Sequence, residues 1–156
     1  MIDQVGPYLL TLTLWGWGES LLHPELGTIL QSAATQPMVT LLSTNGQHLD
    51  NARAIEALTR HPPTFLIVAI DGLTDATNAR LRVGAKLDPV LRAVRALADQ
   101  KARTAQTFPI LHMRFIAMKH NQHEIPQLAE FAAAHGFDQV AVGGENPRRQ
   151  SSLSGL

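Results

Sequence analysis

An α/β fold is predicted for this chain, an arc of about five parallel strands with outer helices that forms part of a barrel. Three observations predict it. Short apolar runs recur along the chain with helical patterns between them. Those runs lack strict polar alternation, as parallel strands covered by helices do. Each run also ends in turn residues, among them glycine, asparagine and aspartate.

The first apolar segment, Tyr8 to Leu14, leads into Trp15-Gly16-Trp17-Gly18-Glu19-Ser20-Leu21-Leu22-His23-Pro24. Glycine lets a ligand approach main chain where a Cβ would collide. Pro24 is expected to open a helix running to Gln36, at a position where its missing N–H costs nothing. Met38 to Leu42 reads as the second strand, ends in Ser43-Thr44-Asn45-Gly46, and precedes a helix from Leu49 to Thr59. Thr64 to Ile70 is the third strand and leads into Asp71-Gly72. The helical pattern from Asp88 to Gln100 sets Leu91, Val94, Leu97 and Ala98 on one core stripe. Ile110 to Met118 is the fourth strand, followed by Lys119-His120-Asn121 and a helix from Ile125 to His135, with Gly136 as its left-handed cap. Gln139 to Val142 is the fifth, ending in Gly143-Gly144. Each strand-helix unit takes roughly thirty residues, as a βαβ unit does.

Composition narrows the function classes. Hydrophobic residues are 45% and charged residues 17%, and the formal net charge is zero. With no basic run or aromatic-interleaved basic patch, nucleic acid is not an expected partner. No stretch approaches the roughly 18 apolar residues of a membrane span, and no signal-peptide pattern opens the chain, so a cytoplasmic location is expected. The 156 residues include no cysteine, which removes disulfides, thiolate nucleophiles and cysteine-held clusters from this polypeptide. A closed eight-stranded barrel takes at least about 200 residues. Residues 1–145 are therefore expected to form an open arc, whose unpaired edges invite self-association. Residues 146–156 lack periodicity and a core face and read as a flexible C-terminal tail.

Four strand-end segments carry a family resemblance. Gly16-Trp17-Gly18-Glu19-Ser20-Leu21-Leu22-His23-Pro24 resembles the GGEPLLHP-type motif on the second strand of radical S-adenosylmethionine (radical SAM) enzymes. Ser43-Thr44-Asn45-Gly46 is similar to the TNG motif ending their third strand. Val68-Ala69-Ile70-Asp71-Gly72, with Asn78 and Arg82, resembles the fourth-strand segment of members bearing SPASM-type C-terminal domains. Met113 to Met118, then Asn121, Glu124-Ile125 and Gly136-Phe137-Asp138, resembles their fifth strand, helix and sixth strand. The match runs from about Leu10 to Val142 in order and spacing. Each segment alone is weak, and the ordered set is specific.

The resemblance implies a partial radical-SAM-type TIM barrel, truncated, that uses S-adenosylmethionine and a four-iron four-sulfur cluster for radical modification of a peptide or small-molecule cofactor precursor. It implies that Gly16, Gly18 and Glu19 turn backbone carbonyls toward the amino group of the cofactor's methionine, and that Asn45, Asp71, Arg82 and Arg114 also line the cofactor site. In such enzymes the cofactor supplies the reactivity and the protein supplies placement. The family's CxxxCxxC loop precedes the first strand seen here, and this chain starts after that point. Ser20 stands where the family has proline, and Ala69 where a serine commonly reaches the cofactor.

Strand parity adds a reading independent of the family. His112, Arg114 and Ile116 share one face, and Leu111, Met113 and Phe115 the other, so the two polar residues turn toward the barrel interior. A guanidinium there needs an anion, and Asp71, Glu19 or the cofactor carboxylate could supply it. Plainer roles stand beside these. Glu19 could cap the next helix, Asn45-Gly46 could be an ordinary turn, Arg82 a solvated helix-end charge, and His23 and His120 capping or surface residues. Two other functions are also open: a divalent-metal barrel with Glu19, Asp71 and His112 as ligands, and a non-catalytic remnant or binding domain.

Overall fold

The computed structural model describes residues 1–144, so the tail expected over 146–156 lies outside the described residues. Five strands, β1 Thr11–Leu14, β2 Val39–Thr44, β3 Phe65–Ala69, β4 Ile110–Ala117 and β5 Gln139–Gly144, form one sheet. All pairings are parallel, and the spatial order β1-β2-β3-β4-β5 is the chain order. Parallel neighbours need crossovers, supplied here by α2 Leu26–Ala34, α3 Ala52–Arg60, α5 Leu87–Arg103 and α6 Leu128–Ala134.

Alternation along the strands divides the two faces. Leu66 and Val68 of β3 and Leu111, Met113 and Phe115 of β4 are completely buried in the core. Leu87, Val90, Val94 and Leu97 of α5, at helical spacing, are buried in the same core. Leu91 and Ala98 are partly buried against it. The other sheet face presents Ser43, Ala69, His112 and Arg114, none of them fully buried.

Local physics accounts for the departures from the sequence reading. β1 begins at Thr11 and not at Tyr8, because Ile2–Val5 forms a short helix, α1, and Gly6–Tyr8 a 3₁₀ turn with Pro7 near its start. Tyr8 and Leu10 are each 87% exposed, so Leu10 belongs to no core face. Pro24 does not open α2. The Glu19 carboxylate instead caps a 3₁₀ turn over Ser20–Leu22, and α2 starts at Leu26. After β4 the helix is split: a 3₁₀ segment, Gln122–Gln127, holds Pro126, which has no N–H to give, and α6 follows. A short helix, α4 Asp75–Asn78, sits behind a Thr74–Thr77 capping box. Gly136, at φ +84°, takes the left-handed cap position as expected.

β1 and β5 are the outer strands of the sheet. β1 alternates exposed and half-buried residues, and β5 is largely exposed. No helix among the described residues is long and apolar enough to cross a membrane.

Candidate functional site

The loops that follow β1, β2 and β3 gather at the C-terminal end of the sheet, where ligands of open α/β folds and barrels sit. There Gly16, Gly18, Glu19, Asn45, Arg82 and Arg114 line one cavity of about 330 Å³, with Ser43, Ala69 and Ile116 between them. Asp71, the remaining residue of the expected set, lies outside that lining and is completely buried.

The glycine turn is open backbone. A Cβ built at Gly16 or Gly18 would meet nothing within 4 Å, and Gly18 holds φ +89°. Among the described residues, no hydrogen bond uses the backbone N–H or C=O groups of Gly16, Trp17 or Gly18. The Glu19 carbonyl is different, because it accepts from Leu22 N–H at 3.1 Å. The carbonyls of Gly16 and Gly18, with Trp17 between them, thus have no partner among the described residues, while that of Glu19 already holds one N–H. Ser20 ties the turn down where a proline was missed: its Oγ donates to the Leu14 carbonyl at 2.7 Å. On the far flank of the same turn, Leu14, Trp17, Leu22, Leu26 and Ile29 line an apolar hollow of about 460 Å³.

Glu19 and Asn45 hold the rim together. Glu19 Oε1 accepts from Leu21 N–H at 3.2 Å, and Oε2 accepts from Asn45 N–H at 3.0 Å. Asn45 Oδ1 in turn accepts from Gln47 N–H at 2.9 Å. The plainer readings, a cap for Glu19 and a turn for Asn45, therefore describe how these side chains are bonded, although both residues face the cavity. Gly46 is required by packing: it sits at φ +81°, and a Cβ there would come within 2.5 Å of Val90.

Asp71 is the base on which Arg82 stands. Asp71 Oδ2 lies 2.7 Å from Arg82 Nη2, as an ion pair not aligned as a hydrogen bond, and Oδ1 accepts from Ile116 N–H at 2.8 Å. Arg82 is thereby not a solvated helix-end charge. Its side chain is 22% exposed, on the cavity side. Arg114 corrects the parity argument in one respect. It does face the cavity, but it is exposed there, and among the described residues it pairs with neither Asp71 nor Glu19.

Sequence reading missed the support beneath this rim. Asn121, completely buried, donates from Nδ2 to the carbonyls of Asp71 and Ile116 at 2.8 and 2.9 Å and accepts at Oδ1 from Met118 N–H. Glu124, 5% exposed, accepts from Leu73 N–H at 3.0 Å and from Thr77 Oγ1 at 2.8 Å. Asn78 Oδ1 accepts from Asp71 N–H at 2.9 Å. Only the family resemblance singled these residues out, because hydrogen bonds between distant loops leave no local pattern. His23 is a cap, its Nδ1 accepting from Glu25 N–H at 3.2 Å. The metal reading fails on geometry: Glu19, Asp71 and His112 do not converge, and no group of three His, Cys, Asp or Glu among the described residues could hold an ion.

The fold defines an α/β protein of partial-barrel type, with a cavity at the strand ends. No family model and no curated protein matches the chain. Solved structures do match. Streptococcus suis SuiB bound to S-adenosylmethionine superposes with a TM-score of 0.73 at 16% identity, over 93% of this chain and 31% of that one. A TYW1 structure with a lysine-pyruvate adduct bound gives 0.67 at 18%, over 95% and 48%, and archaeal TYW1 gives 0.58 at 16%, over 86% and 45%. The fold is thus the partial radical-SAM-type barrel expected from the sequence, and the chain spans a third to a half of the structures it resembles.

Proposed function

We propose that this chain is the S-adenosylmethionine-holding part of a radical SAM protein, of the kind that modifies a peptide or a small molecule, and that it works in the cytoplasm. The observation that carries this reading is the meeting of six separated sequence positions, Gly16, Gly18, Glu19, Asn45, Arg82 and Arg114, at one cavity. The chemistry of the cavity fits the cofactor. Free carbonyls at Gly16 and Gly18 suit the methionine ammonium, and the Arg82 guanidinium, oriented by Asp71, suits the methionine carboxylate. Support also comes from the fold it shares with a structure bound to S-adenosylmethionine.

A four-iron four-sulfur cluster does not fit the residues present, since the sequence holds no cysteine. Reductive cleavage of the sulfonium is therefore not assigned to these side chains, and the chain's own part is to bind and orient.

Gly16→Ala gives a direct test. The added methyl meets open space, so folding stability should stay within about 0.5 kcal/mol of wild type, as for a surface change. The same methyl intrudes on the cavity, so calorimetry should show binding of S-adenosylmethionine to wild type and marked weakening in the variant. No binding to wild type, or equal binding to both, would overturn the reading.

A further inference from the structure

Two arginines reach the cavity, and their surroundings differ. Arg82 arrives on the loop after β3 and is held by Asp71. Arg114 stands on β4 in register with Ala69 of β3 and Ala141 of β5, so neither neighbouring strand sets anything larger than a methyl group beside it. Among the described residues no carboxylate pairs with it. Asp71 serves Arg82 and the Ile116 N–H, and Glu19 serves the N–H groups of Leu21 and Asn45.

His112 lies two residues back on the same face, about 7 Å along the strand. Its Nδ1 is 3.4 Å from Gln139 Oε1; the amide oxygen accepts, so the imidazole donates there and its ring is oriented across the sheet. The cavity therefore presents the Arg114 guanidinium without a carboxylate partner among the described residues, and the half-buried His112 lies outside its lining, further back on the same strand face. The glycine turn follows β1, three strands away, or about 14 Å across the sheet. A guanidinium with both flanks open accepts a carboxylate through two parallel N–H bonds.

We propose that Arg114 seats a carboxylate of the substrate, so that the molecule acted on at this cavity is an organic acid or an acidic peptide. This rests on the reading above, in which Arg82 takes the carboxylate of S-adenosylmethionine. That cofactor has one carboxylate, and the second cavity arginine answers to a second ligand.

Succinate, with succinamide as its uncharged control, is the probe. Titration at constant ionic strength, followed by NMR at the arginine side-chain N–H signals, should show saturable binding of succinate to the wild-type chain and none of succinamide. Arg114→Gln should weaken succinate binding at least about tenfold. Calorimetry with S-adenosylmethionine should show a larger loss of affinity for Arg82→Gln than for Arg114→Gln. Arg114→Lys, which keeps the charge without the planar fork, should recover part of the succinate response. Competition between succinate and S-adenosylmethionine, with both lost in Arg114→Gln, would overturn the proposal and give Arg114 to the cofactor. An Arg114-independent succinate response, or none, would also overturn it. Succinate binding through Arg114 with no S-adenosylmethionine binding at all would support the acid seat while removing the cofactor reading.

Discussion

Arg82 Nη2 lies 2.7 Å from Asp71 Oδ2, joining a completely buried carboxylate to a guanidinium that is 22% exposed at the cavity. Removing the arginine leaves Asp71 charged in the interior with one N–H, from Ile116, to compensate it. Breaking a buried pair costs about 3–5 kcal/mol, and partial solvation of Arg82 places Arg82→Gln near the lower end. Urea unfolding should therefore show a loss of about 3 kcal/mol, and a double-mutant cycle with Asp71→Asn a coupling of about 1–3 kcal/mol. Additive single losses would show that the pair does not act as a unit.

Asn121 joins the ends of β3 and β4 from below. It donates to two carbonyls, of Asp71 and Ile116, and accepts one N–H, from Met118. Each buried group left unpaired costs about 1–3 kcal/mol. Asn121→Ala should lose about 3 kcal/mol or more, and Asn121→Asp should be worse, since a carboxylate placed against two carbonyl oxygens cannot donate. Thermal unfolding of both variants checks the order; an aspartate variant as stable as wild type would contradict the network.

How far the sequence foretold this arrangement varies with the range of the forces involved. All five strands were legible, because apolar runs and the turns that end them are local, and Ile110 was placed correctly as the start of β4. The parity of His112 and Arg114 was legible for the same reason. The start of β1 was misread because Tyr8-Leu9-Leu10 is apolar without being buried, and the sheet partner Val39 pairs only as far back as Thr11. Asp71, Arg82 and Arg114 were each marked as site residues. Which arginine takes Asp71 was not legible, since that depends on how the loop from Gly72 to Arg82 folds back. Asn121 and Glu124 act through contacts 50 and 51 residues away in sequence.

Glycines at the rim should separate by environment. Gly46 and Gly18 both have positive φ, but a Cβ at Gly46 collides with Val90 while one at Gly18 meets open space. The left-handed conformation alone costs an L-residue about 1–2 kcal/mol. Gly18→Ala should therefore lose about that much, and Gly46→Ala a further 1–3 kcal/mol or so for overpacking. Val90→Ala should relieve part of the Gly46→Ala defect, measured by urea unfolding of the double variant. Equal losses at the two glycines would contradict the packing argument.

Iron and sulfide supplied anaerobically should leave this chain without a four-iron four-sulfur cluster, because no thiolate is available to hold one. Absorbance and electron paramagnetic resonance spectra, with iron quantified after desalting, are the check. Stoichiometric iron with cluster-type spectra would show ligation by side chains other than cysteine.

The sheet edges should govern behaviour at high concentration. Among the described residues β1 has only β2 beside it, and the apolar residues around it are uncovered: Trp17 is fully exposed, Leu10 is 87% exposed and Leu22 is 55% exposed. Unpaired strand edges beside such residues template pairing with another chain, and a charge placed there opposes it. Sedimentation of the described chain should therefore show association that grows with concentration. Leu10→Lys should reduce it while changing stability by less than about 0.5 kcal/mol, since the side chain is already in water. Association unchanged by the lysine would move the contact to the β5 edge, where Val142 is half exposed. A monomer at every concentration would mean that neither edge is sticky.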